Sequence, residues 1–372
     1  MRSRLRGIFE IQHTAHATLY SMEGLRGLAV FLVFLVHYIT LSDAWISGSG
    51  AFYHLALIVR SLGNVGVDLF FVLSGYLIYG SLIKRERPFI PYLRRRIERI
   101  YPTFVVVFFL YLVLSFLLPG KSKIPGDPLQ ATRYLAENFL LLPGMVRIEP
   151  MITVAWSLSY EFFFYLSIPL LVFLLRLRLW PSLGRILFFS TLATAILAAP
   201  QAFGNHVRLA MFISGMLVYE LSTYFRSPRY LDLAGLFGLA LALAGTIAQK
   251  LVGFGGQWKF AILSVSFFLL CWACFSANGY ASRLFRWTPM RWLGNISYSY
   301  YLIHGLVLNG IFVFTPWFLP ATGGNVVAFW IGLGFCFGAT FLVSTVLFLL
   351  VERPFSLSPR SGSQASSSAK HP

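Results

Sequence analysis

Two residues of the first long apolar segment, Arg26 and His37, are of the types that bind phosphate and move protons. A spacing of eleven residues returns to nearly the same face of a helix, with a rise of about 16 Å. A permanent cation such as Arg26 suits phosphate groups, and a neutral imidazole suits general-base catalysis. A structural alternative stays open, in which Arg26 reaches lipid phosphates and His37 hydrogen-bonds within a helix bundle.

Two further ionisable residues, Glu161 and His304, lie inside apolar segments. A charge there costs about 2.5–3.5 kcal/mol on insertion scales and therefore tends to be functional. Glu161 is expected at a depth comparable with that of His37, where a carboxylate could orient the imidazole or bind a hydroxyl. Its structural alternative is an ion pair with Arg208, at the start of a later segment. His304, taken alone, is expected to be a packing histidine whose hydrogen bonds are satisfied.

Other charged residues lie near the ends of apolar segments. Asp68 is expected to begin the second membrane helix, as a substrate ligand or as an anion that stabilises the helix N-terminus. Glu220 is expected near an inner helix end, in contact with water. The stretch 88–102, PFIPYLRRRIERIYP, holds four arginines, Arg96 and Arg99 among them. Such a cluster anchors membrane topology and also pairs well with polyphosphates, so both roles stay open.

The composition indicates a membrane protein. Of the 372 residues, 57% are hydrophobic and only 12% are charged, about half the charged fraction of a soluble protein. The net charge of +17 does not indicate nucleic-acid binding here, because the basic residues concentrate in alternate loops between apolar segments, as positive-inside topology predicts. Cys271 and Cys274 form a CxxC pair without a second pair or a nearby histidine, so we expect no metal and no bound cofactor.

Ten segments are long and apolar enough to be membrane helices of about 20 residues. They are 24–41, 65–83, 100–118, 152–175, 185–199, 208–225, 231–249, 258–277, 294–314 and 326–351. The segment 185–199 is the weakest, because it is short and stops at Pro200. The alternation of basic loops supports a count of about ten and places both termini in the cytoplasm. The sequence therefore predicts an all-α, polytopic transmembrane helical bundle in the inner (plasma) membrane.

The chain divides into three parts. A cytoplasmic N-terminal segment over 1–22 shows no signal-peptide pattern. The membrane domain covers 23–355, and its longest outer loop, 119–151, is large enough for a lid or a short surface helix. The Ser-rich stretch 356–372 is expected to be a disordered cytoplasmic tail.

Six segments together make the chain similar to the membrane-bound acyltransferase family 3, whose members O-acylate surface polysaccharides, lipopolysaccharide and peptidoglycan. They are SMEGLRGLAVFLVFLVHY (21–38), GNVGVDLFFVLSGYLI (63–78), YLRRRIERIYP (92–102), WSLSYEFFFYL (156–166), LGNISYSYYLIHG (293–305) and VERPF (351–355). Each segment alone is modest evidence. All of them, in this order and at these intervals, are a specific signal that covers nearly the whole chain.

The resemblance implies roles for individual residues. Arg26 and His37 match the family's Arg-x10-His element, in which the histidine is regarded as catalytic. Other family positions are occupied by Arg96 and Arg99 (Arg-x-x-Arg), Glu161 (the acid after Trp-Ser-Leu), Arg208 (before a Phe-x-x-Gly helix) and His304 (Tyr-Leu-Ile-His). The sequence departs from the family where Tyr160 replaces the first of two acids and where Gly305 and Leu306 replace Trp-Pro. These departures are expected to alter the acceptor pocket more than the chemistry.

The hypothesis that follows is a membrane O-acyltransferase with acyl-CoA, expected to be acetyl-CoA, as its donor. The phosphates of the donor would dock from the cytoplasm near Arg96, Arg99 and Arg26. His37, oriented or charge-balanced by Glu161, would remove a proton from a carbohydrate or glycolipid hydroxyl, or would itself carry the acyl group. The rival hypothesis is a transporter or flippase for a glycan or lipid-linked substrate, which also fits many spans and buried polar residues.

Overall fold

The protein is helical throughout the part of the chain that the computed structural model describes, residues 2–10, 17–224, 229–253, 256–276 and 279–357. No β-strand occurs in these residues, apart from an isolated bridge between Pro143 and Val146. Eight helices are long and apolar enough to cross a membrane. The predicted all-α, multi-pass architecture is therefore confirmed. Most of the predicted disordered tail, from Ser358 onward, lies outside the described residues.

Long apolar helices alternate with short connecting ones. In chain order the α-helices are α1 (Arg2–Phe9), α2 (Ala17–Leu41), α3 (Asp43–Ile46), α4 (Ala51–Gly63), α5 (Gly66–Lys84), α6 (Phe89–Leu117), α7 (Pro128–Phe139), α8 (Ala155–Leu174), α9 (Ser182–Ala198), α10 (Pro200–Phe203), α11 (Leu209–Tyr224), α12 (Arg229–Val252), α13 (Gly256–Ser276), α14 (Tyr280–Phe285), α15 (Thr288–Asn295), α16 (Ser297–Phe318) and α17 (Val326–Leu347). A π-helical segment, Phe348–Leu357, continues α17. Short 3-10 turns cover Pro119–Lys121, Leu177–Leu179 and Gly204–Arg208.

Each of the ten predicted spans coincides with one helix. These helices are α2, α5, α6, α8, α9, α11, α12, α13, α16 and α17. Two of them are short, because α9 has 17 residues and α11 has 16, close to the lower limit of about 17 residues for a span. The largest difference at a boundary is the start of α6, which begins at Phe89 instead of residue 100.

The two short helices nevertheless run across the bundle. α11 is parallel to α5, since Asp68 and Arg208 pair where the two helices begin, and Tyr79 bonds to Glu220 towards their ends. Arg185, in the first turn of α9, pairs with the same Glu220 at 2.7 Å. α9 therefore begins where α11 ends and runs antiparallel to it, as a ten-span chain requires. The expectation of a solvated Glu220 is wrong, because this ion pair buries it fully.

Close backbone contacts fix the beginning of α2. A methyl group at Gly27 would overlap a backbone carbonyl of α15, and one at Gly294 would overlap the carbonyl of Glu23 in α2. Residues without a side chain allow such an approach between membrane helices. An ion pair closes the same contact, because Nε of Arg291 lies 2.8 Å from Oε2 of Glu23. The helix is therefore held in place where Arg26 projects from it.

The loop 119–151 contains a short surface helix, as its length predicted. α7 begins after Asp127, whose carboxylate accepts a hydrogen bond from the backbone N–H of Gln130 and so caps the helix. Asn138, near the other end of α7, is buried and accepts a hydrogen bond from the backbone N–H of Met151. The loop is therefore attached to the chain just before α8.

Large apolar side chains remain exposed along the sides of the bundle. Phe109 and Phe116 of α6 are 60% and 76% exposed, and Phe173 of α8 is 77% exposed. Soluble proteins rarely leave extended apolar surfaces open to water. Lipid tails are the environment that such side chains fit, in agreement with the multi-pass architecture.

Candidate active site

A cavity of about 370 Å³ lies between α2, α5, α6, α8 and α16. This volume is within the usual range of small-molecule sites. Three arginines line it, Arg26, Arg96 and Arg99, together with one carboxylate, Glu161. We call it the arginine cavity, and its other polar lining residues are Ser74, Ser81, Ser157, Tyr165, Ser297, Tyr298 and Tyr301. The structure thus brings together the three arginines that the sequence predicts as ligands of a phosphorylated donor.

The three guanidinium groups of this cavity are held in different ways. Arg26 donates from Nε and Nη2 to Oγ of Ser297, at 3.2 and 3.0 Å. Arg99 Nη1 lies 3.0 Å from a carboxylate oxygen of Glu352. Arg96 lies over a tyrosine ring, and its buried Nε has no hydrogen-bond partner among the described residues. A buried donor without a partner is unfavourable in a protein interior. An anionic ligand that accepts a hydrogen bond from Nε of Arg96 would remove this cost.

Glu161 belongs to the arginine cavity and does not contact His37. Its Oε1 accepts hydrogen bonds from Oγ of Ser74 at 2.9 Å and from the hydroxyl of Tyr165 at 2.5 Å. The prediction that Glu161 orients the imidazole is therefore corrected: α8 places this carboxylate nearer to the arginines. The alternative pairing of Glu161 with Arg208 is wrong as well, because Arg208 has another carboxylate as its partner.

That partner is Asp68, and the two form a buried ion pair away from the arginine cavity. Nη1 of Arg208 lies 2.7 Å from Oδ1 of Asp68, which is fully buried. The guanidinium also lies 5.2 Å from the ring centroids of Trp156 and Phe260. Arg208 lines a separate surface cavity of about 670 Å³. The pair joins the beginnings of α5 and α11, and substrate binding by either residue stays a prediction.

His37 and His304 face each other on two parallel helices. Their ring centroids lie 5.0 Å apart, while Arg26 and Ser297 are bonded nearer to the beginning of the same helices. His304 is fully buried, and its Nδ1 lies 2.7 Å from the carbonyl oxygen of Tyr301. Because a carbonyl oxygen only accepts, Nδ1 carries the proton and Nε2 keeps its lone pair. Nε2 has no partner among the described residues, so the expectation of a fully satisfied packing histidine is wrong.

His37 opens into a smaller space of about 120 Å³, which we call the histidine cavity. Its lining residues are His37, Thr40, Leu41, Tyr111, Thr153, Val154, Leu302, Gly305 and Asn309. Hydroxyl and amide groups give this lining its hydrogen-bonding capacity, and none of these side chains carries a permanent charge. Gly305, one of the departures from the family pattern, forms part of the wall opposite the hydroxyl of Tyr111. A neutral group that bears hydroxyls fits such a lining.

A hydrogen-bonded pair lies between the linings of the two cavities, which have no residue in common. The hydroxyl of Tyr301 lies 2.7 Å from Oγ of Ser157 and 3.1 Å from the carbonyl oxygen of Val154. Ser157 and Tyr301 line the arginine cavity, whereas Val154 lines the histidine cavity. We call this pair the Ser157–Tyr301 partition. The hydrogen bonds of this partition therefore connect the lining of one cavity to the lining of the other.

Tyr301 and Glu352 are among the contributors to the site that were not predicted from the sequence. Tyr301 lies in the tyrosine-rich stretch SYSYYLIH, where nothing distinguishes it from its neighbours. Glu352 is an acid at the end of the last apolar segment, and the unfavourable burial of a carboxylate there is a signal that could have found it. In the described part of the chain, no cluster of three or more His, Cys, Asp or Glu side chains could hold a metal ion.

Fold and site together define a multi-pass membrane protein with a cationic cavity and an imidazole pair, of which His304 is buried and His37 half-buried. Residues 19–349, most of the chain, match the family model described as an acyltransferase domain, that of acyltransferase family 3. The chain therefore belongs to this acyltransferase family.

Several curated proteins are similar to the chain. The peptidoglycan O-acetyltransferase OatA of Listeria monocytogenes is 27% identical over 373 residues, which cover 90% of this chain and 55% of the relative. The O-acetyltransferase OatA of Staphylococcus aureus is 26% identical over 320 residues, covering 76% and 49%. The acyltransferase MdmB of Streptomyces mycarofaciens is 29% identical over 231 residues, covering 60% and 56%. The chain thus spans about half the length of these relatives, and no solved structure gives a significant match.

Proposed function

We propose that the protein is a membrane O-acetyltransferase that moves an acetyl group from acetyl-CoA to a hydroxyl of a carbohydrate or glycolipid acceptor. The observation that carries the proposal is the alignment of α2 with α16, which places a cavity lined by arginines in line with a pair of imidazoles. Membership of the acyltransferase family supports acyl transfer. The names of the two OatA relatives support acetyl as the group, and the Listeria protein supports a cell-wall glycan as the acceptor class.

The arginine cavity is the proposed donor site. Guanidinium groups pair with phosphate oxygens through paired N–H donors, and Arg26, Arg96 and Arg99 outnumber the single carboxylate in the lining. The rise of about 16 Å between Arg26 and His37 suits an extended pantetheine arm. We place the arginine end on the cytoplasmic side of the plasma membrane, where acyl-CoA is available, and the acceptor on the other side.

The histidine cavity is the proposed place of reaction. His37 takes the proton from the acceptor hydroxyl, and the oxygen attacks the carbonyl carbon of the thioester. The bond from carbon to sulfur breaks, and the thiolate receives the proton from His37, so the products are the acetyl ester and the CoA thiol. The ring of His304 packs against that of His37, with centroids 5.0 Å apart, and thereby orients it. In a variant of this scheme, His37 carries the acetyl group between the two substrates.

A label-transfer assay tests this function. Purified protein in liposomes receives acetyl-CoA labelled in the acetyl group on one side and a soluble cell-wall glycan fragment on the other. Label in the glycan as a base-labile ester, with release of one CoA per ester, is the expected result. Movement of the glycan across the membrane without label transfer would support the transporter or flippase hypothesis and overturn the proposal.

The Ser157–Tyr301 partition leads to a prediction about coupling. The change Tyr301→Phe removes the hydroxyl that bonds to Ser157 and Val154. In the proposed scheme the thioester waits on the arginine side of the partition until the acceptor has bound, and in the variant water from the histidine cavity reaches it there more easily. We therefore expect the ratio of acetyl-CoA hydrolysis to acetyl transfer to rise several-fold, in line with the loss of about 1 kcal/mol of hydrogen bonding. The ratio is measured as CoA released against ester formed.

Tyr300→Phe provides the matched control for this variant. Tyr300 is the neighbouring residue, is fully buried and lies beside His304, but it lines neither of the two cavities. Its variant should keep the ratio of the wild-type protein. An unchanged ratio in Tyr301→Phe, at any level of activity, would show that the hydrogen bond is no barrier to water.

A further inference from the structure

Glu352 is a fully buried carboxylate that lines neither the arginine cavity nor the histidine cavity. It lies in the π-helical segment Phe348–Leu357, which follows α17 and packs against α6. A carboxylate without partners is strongly disfavoured in such a place. Its contacts therefore indicate what it does.

The two oxygens of this carboxylate serve different helices. Oε2 accepts hydrogen bonds from the backbone N–H of Ser299 at 3.1 Å and from its Oγ at 2.6 Å, in the first turn of α16. Oε1 lies 3.0 Å from Nη1 of Arg99 on α6. Glu352 thus joins the beginning of α16 to one of the arginines of the donor site. The carboxylate itself is held by Ser299, so it offers Arg99 a fixed partner.

Arg99 is the cavity residue through which Glu352 acts. An arginine side chain has many rotamers and loses conformational entropy when it is fixed in one of them. The ion pair attracts Nη1 of the guanidinium to the fixed carboxylate, while the centroid of the Tyr298 ring lies 5.8 Å from Cζ of Arg99. The hydroxyl of Tyr298 in turn donates to the carbonyl oxygen of Ile100, which holds α16 against α6. The remaining donors of Arg99 are left for a ligand in the arginine cavity.

We propose that Glu352 is a positioning residue for the phosphorylated donor, because it holds Arg99 in the orientation in which the guanidinium binds phosphate. The inference rests on the proposed function, in which the arginine cavity binds CoA. Glu352 itself does not touch the donor. Its charge has the wrong sign for a direct contact with phosphate, and it lies behind the arginine that does bind.

The sign of the change in affinity tests this inference. Glu352→Gln keeps an acceptor for Ser299 but removes the charge that holds Arg99. The extra net positive charge alone would tighten the binding of an anion. The loss of a fixed orientation of the Arg99 guanidinium has the opposite effect and weakens the binding of CoA. We expect the Kd for CoA, measured by isothermal titration calorimetry on the protein in detergent micelles, to rise about tenfold, as coupling energies between contacting residues allow.

A double-variant comparison shows whether the effect passes through Arg99. In an Arg99→Gln background, the further change Glu352→Gln should leave the Kd for CoA nearly unchanged, because there is no guanidinium left to position. Kinetics should agree, with a raised KM for acetyl-CoA and an almost unchanged kcat. The inference would be overturned if Glu352→Gln raised the Kd for CoA tenfold in both the wild-type and the Arg99→Gln backgrounds, or if Glu352→Gln alone bound CoA more tightly than wild type.

Glu220→Gln is the matched control. Glu220 is also fully buried and paired with an arginine, Arg185 at 2.7 Å, but neither residue lines the arginine cavity. Both variants are expected to lower thermal stability, and only Glu352→Gln should change the Kd for CoA. Failure of the wild-type protein to bind CoA would overturn the proposed function, whereas equal binding by wild type and Glu352→Gln would overturn this inference alone.

Discussion

The change His37→Ala is expected to lower kcat for acetyl transfer about 10²–10⁴-fold, the usual contribution of a general base. His37 is the imidazole that lines the histidine cavity, so its removal leaves the acceptor hydroxyl without a group to take its proton. The Kd for CoA should change little, because His37 lines neither the arginine cavity nor its immediate surroundings on α2: Arg26, the arginine of that cavity on the same helix, lies about 16 Å away. Initial rates of label transfer and calorimetric titration with CoA measure the two quantities on the same preparation.

His54→Ala serves as the control for His37→Ala. His54 lies on α4, is exposed, and lines neither of the two cavities. Its variant should transfer acetyl groups at the rate of the wild-type protein. If His37→Ala folds, binds CoA and still transfers acetyl at a rate within a few-fold of wild type, the proposed role of His37 is wrong.

The positions of the helices could be predicted from the sequence because the thickness of a bilayer fixes the length of an apolar segment. Each predicted span coincides with one helix, including the weak segment that became α9. The arrangement of Arg26 and His37 on one side of α2 also follows from geometry inside a single helix. Both residues indeed contact the same partner helix, α16.

The partners of the charged residues could not be predicted in the same way. The pattern of apolar residues gives the approximate depth of a residue in the membrane. It gives neither the rotation of the helix about its axis nor the residue of another helix that lies opposite. Glu161 and Asp68 show this, because each is an acid in an apolar helix. Glu161 lines the arginine cavity, whereas Asp68 forms an ion pair with Arg208. The contact of Arg26 with Ser297 joins residues 271 positions apart, a separation that no local pattern spans.

Glu220 and Glu352 show that side chains of neighbouring helices can take the place of water as the hydrogen-bond partners of a carboxylate. Glu220 was expected to be solvated because it lies near a helix end, yet Arg185 and Tyr79 from two other helices surround it. Glu352 follows the same rule near the end of the last span. In both cases an acid near the end of an apolar helix is buried because an arginine and a hydroxyl from other helices satisfy it.

The change Arg96→Gln is expected to raise the KM for acetyl-CoA about 10–100-fold with a small effect on kcat. Arg96 lines the arginine cavity, and its buried Nε has no partner in the described part of the chain. A hydrogen bond to a charged group contributes about 1.5–3 kcal/mol, which corresponds to this range. Since the guanidinium binds phosphate in the proposed scheme, the effect should depend on the phosphates of the donor.

Acetyl-pantetheine, which lacks the nucleotide and its phosphates, makes that dependence measurable. The wild-type protein and Arg96→Gln should have nearly equal KM values for this donor, although both values will be high. Arg95→Gln is the matched control, because the neighbouring arginine is exposed and lies outside the arginine cavity. It should behave as wild type with both donors. If Arg96→Gln raises the KM for acetyl-pantetheine as much as that for acetyl-CoA, Arg96 shapes the cavity without binding phosphate, and the donor site must be sought among other residues.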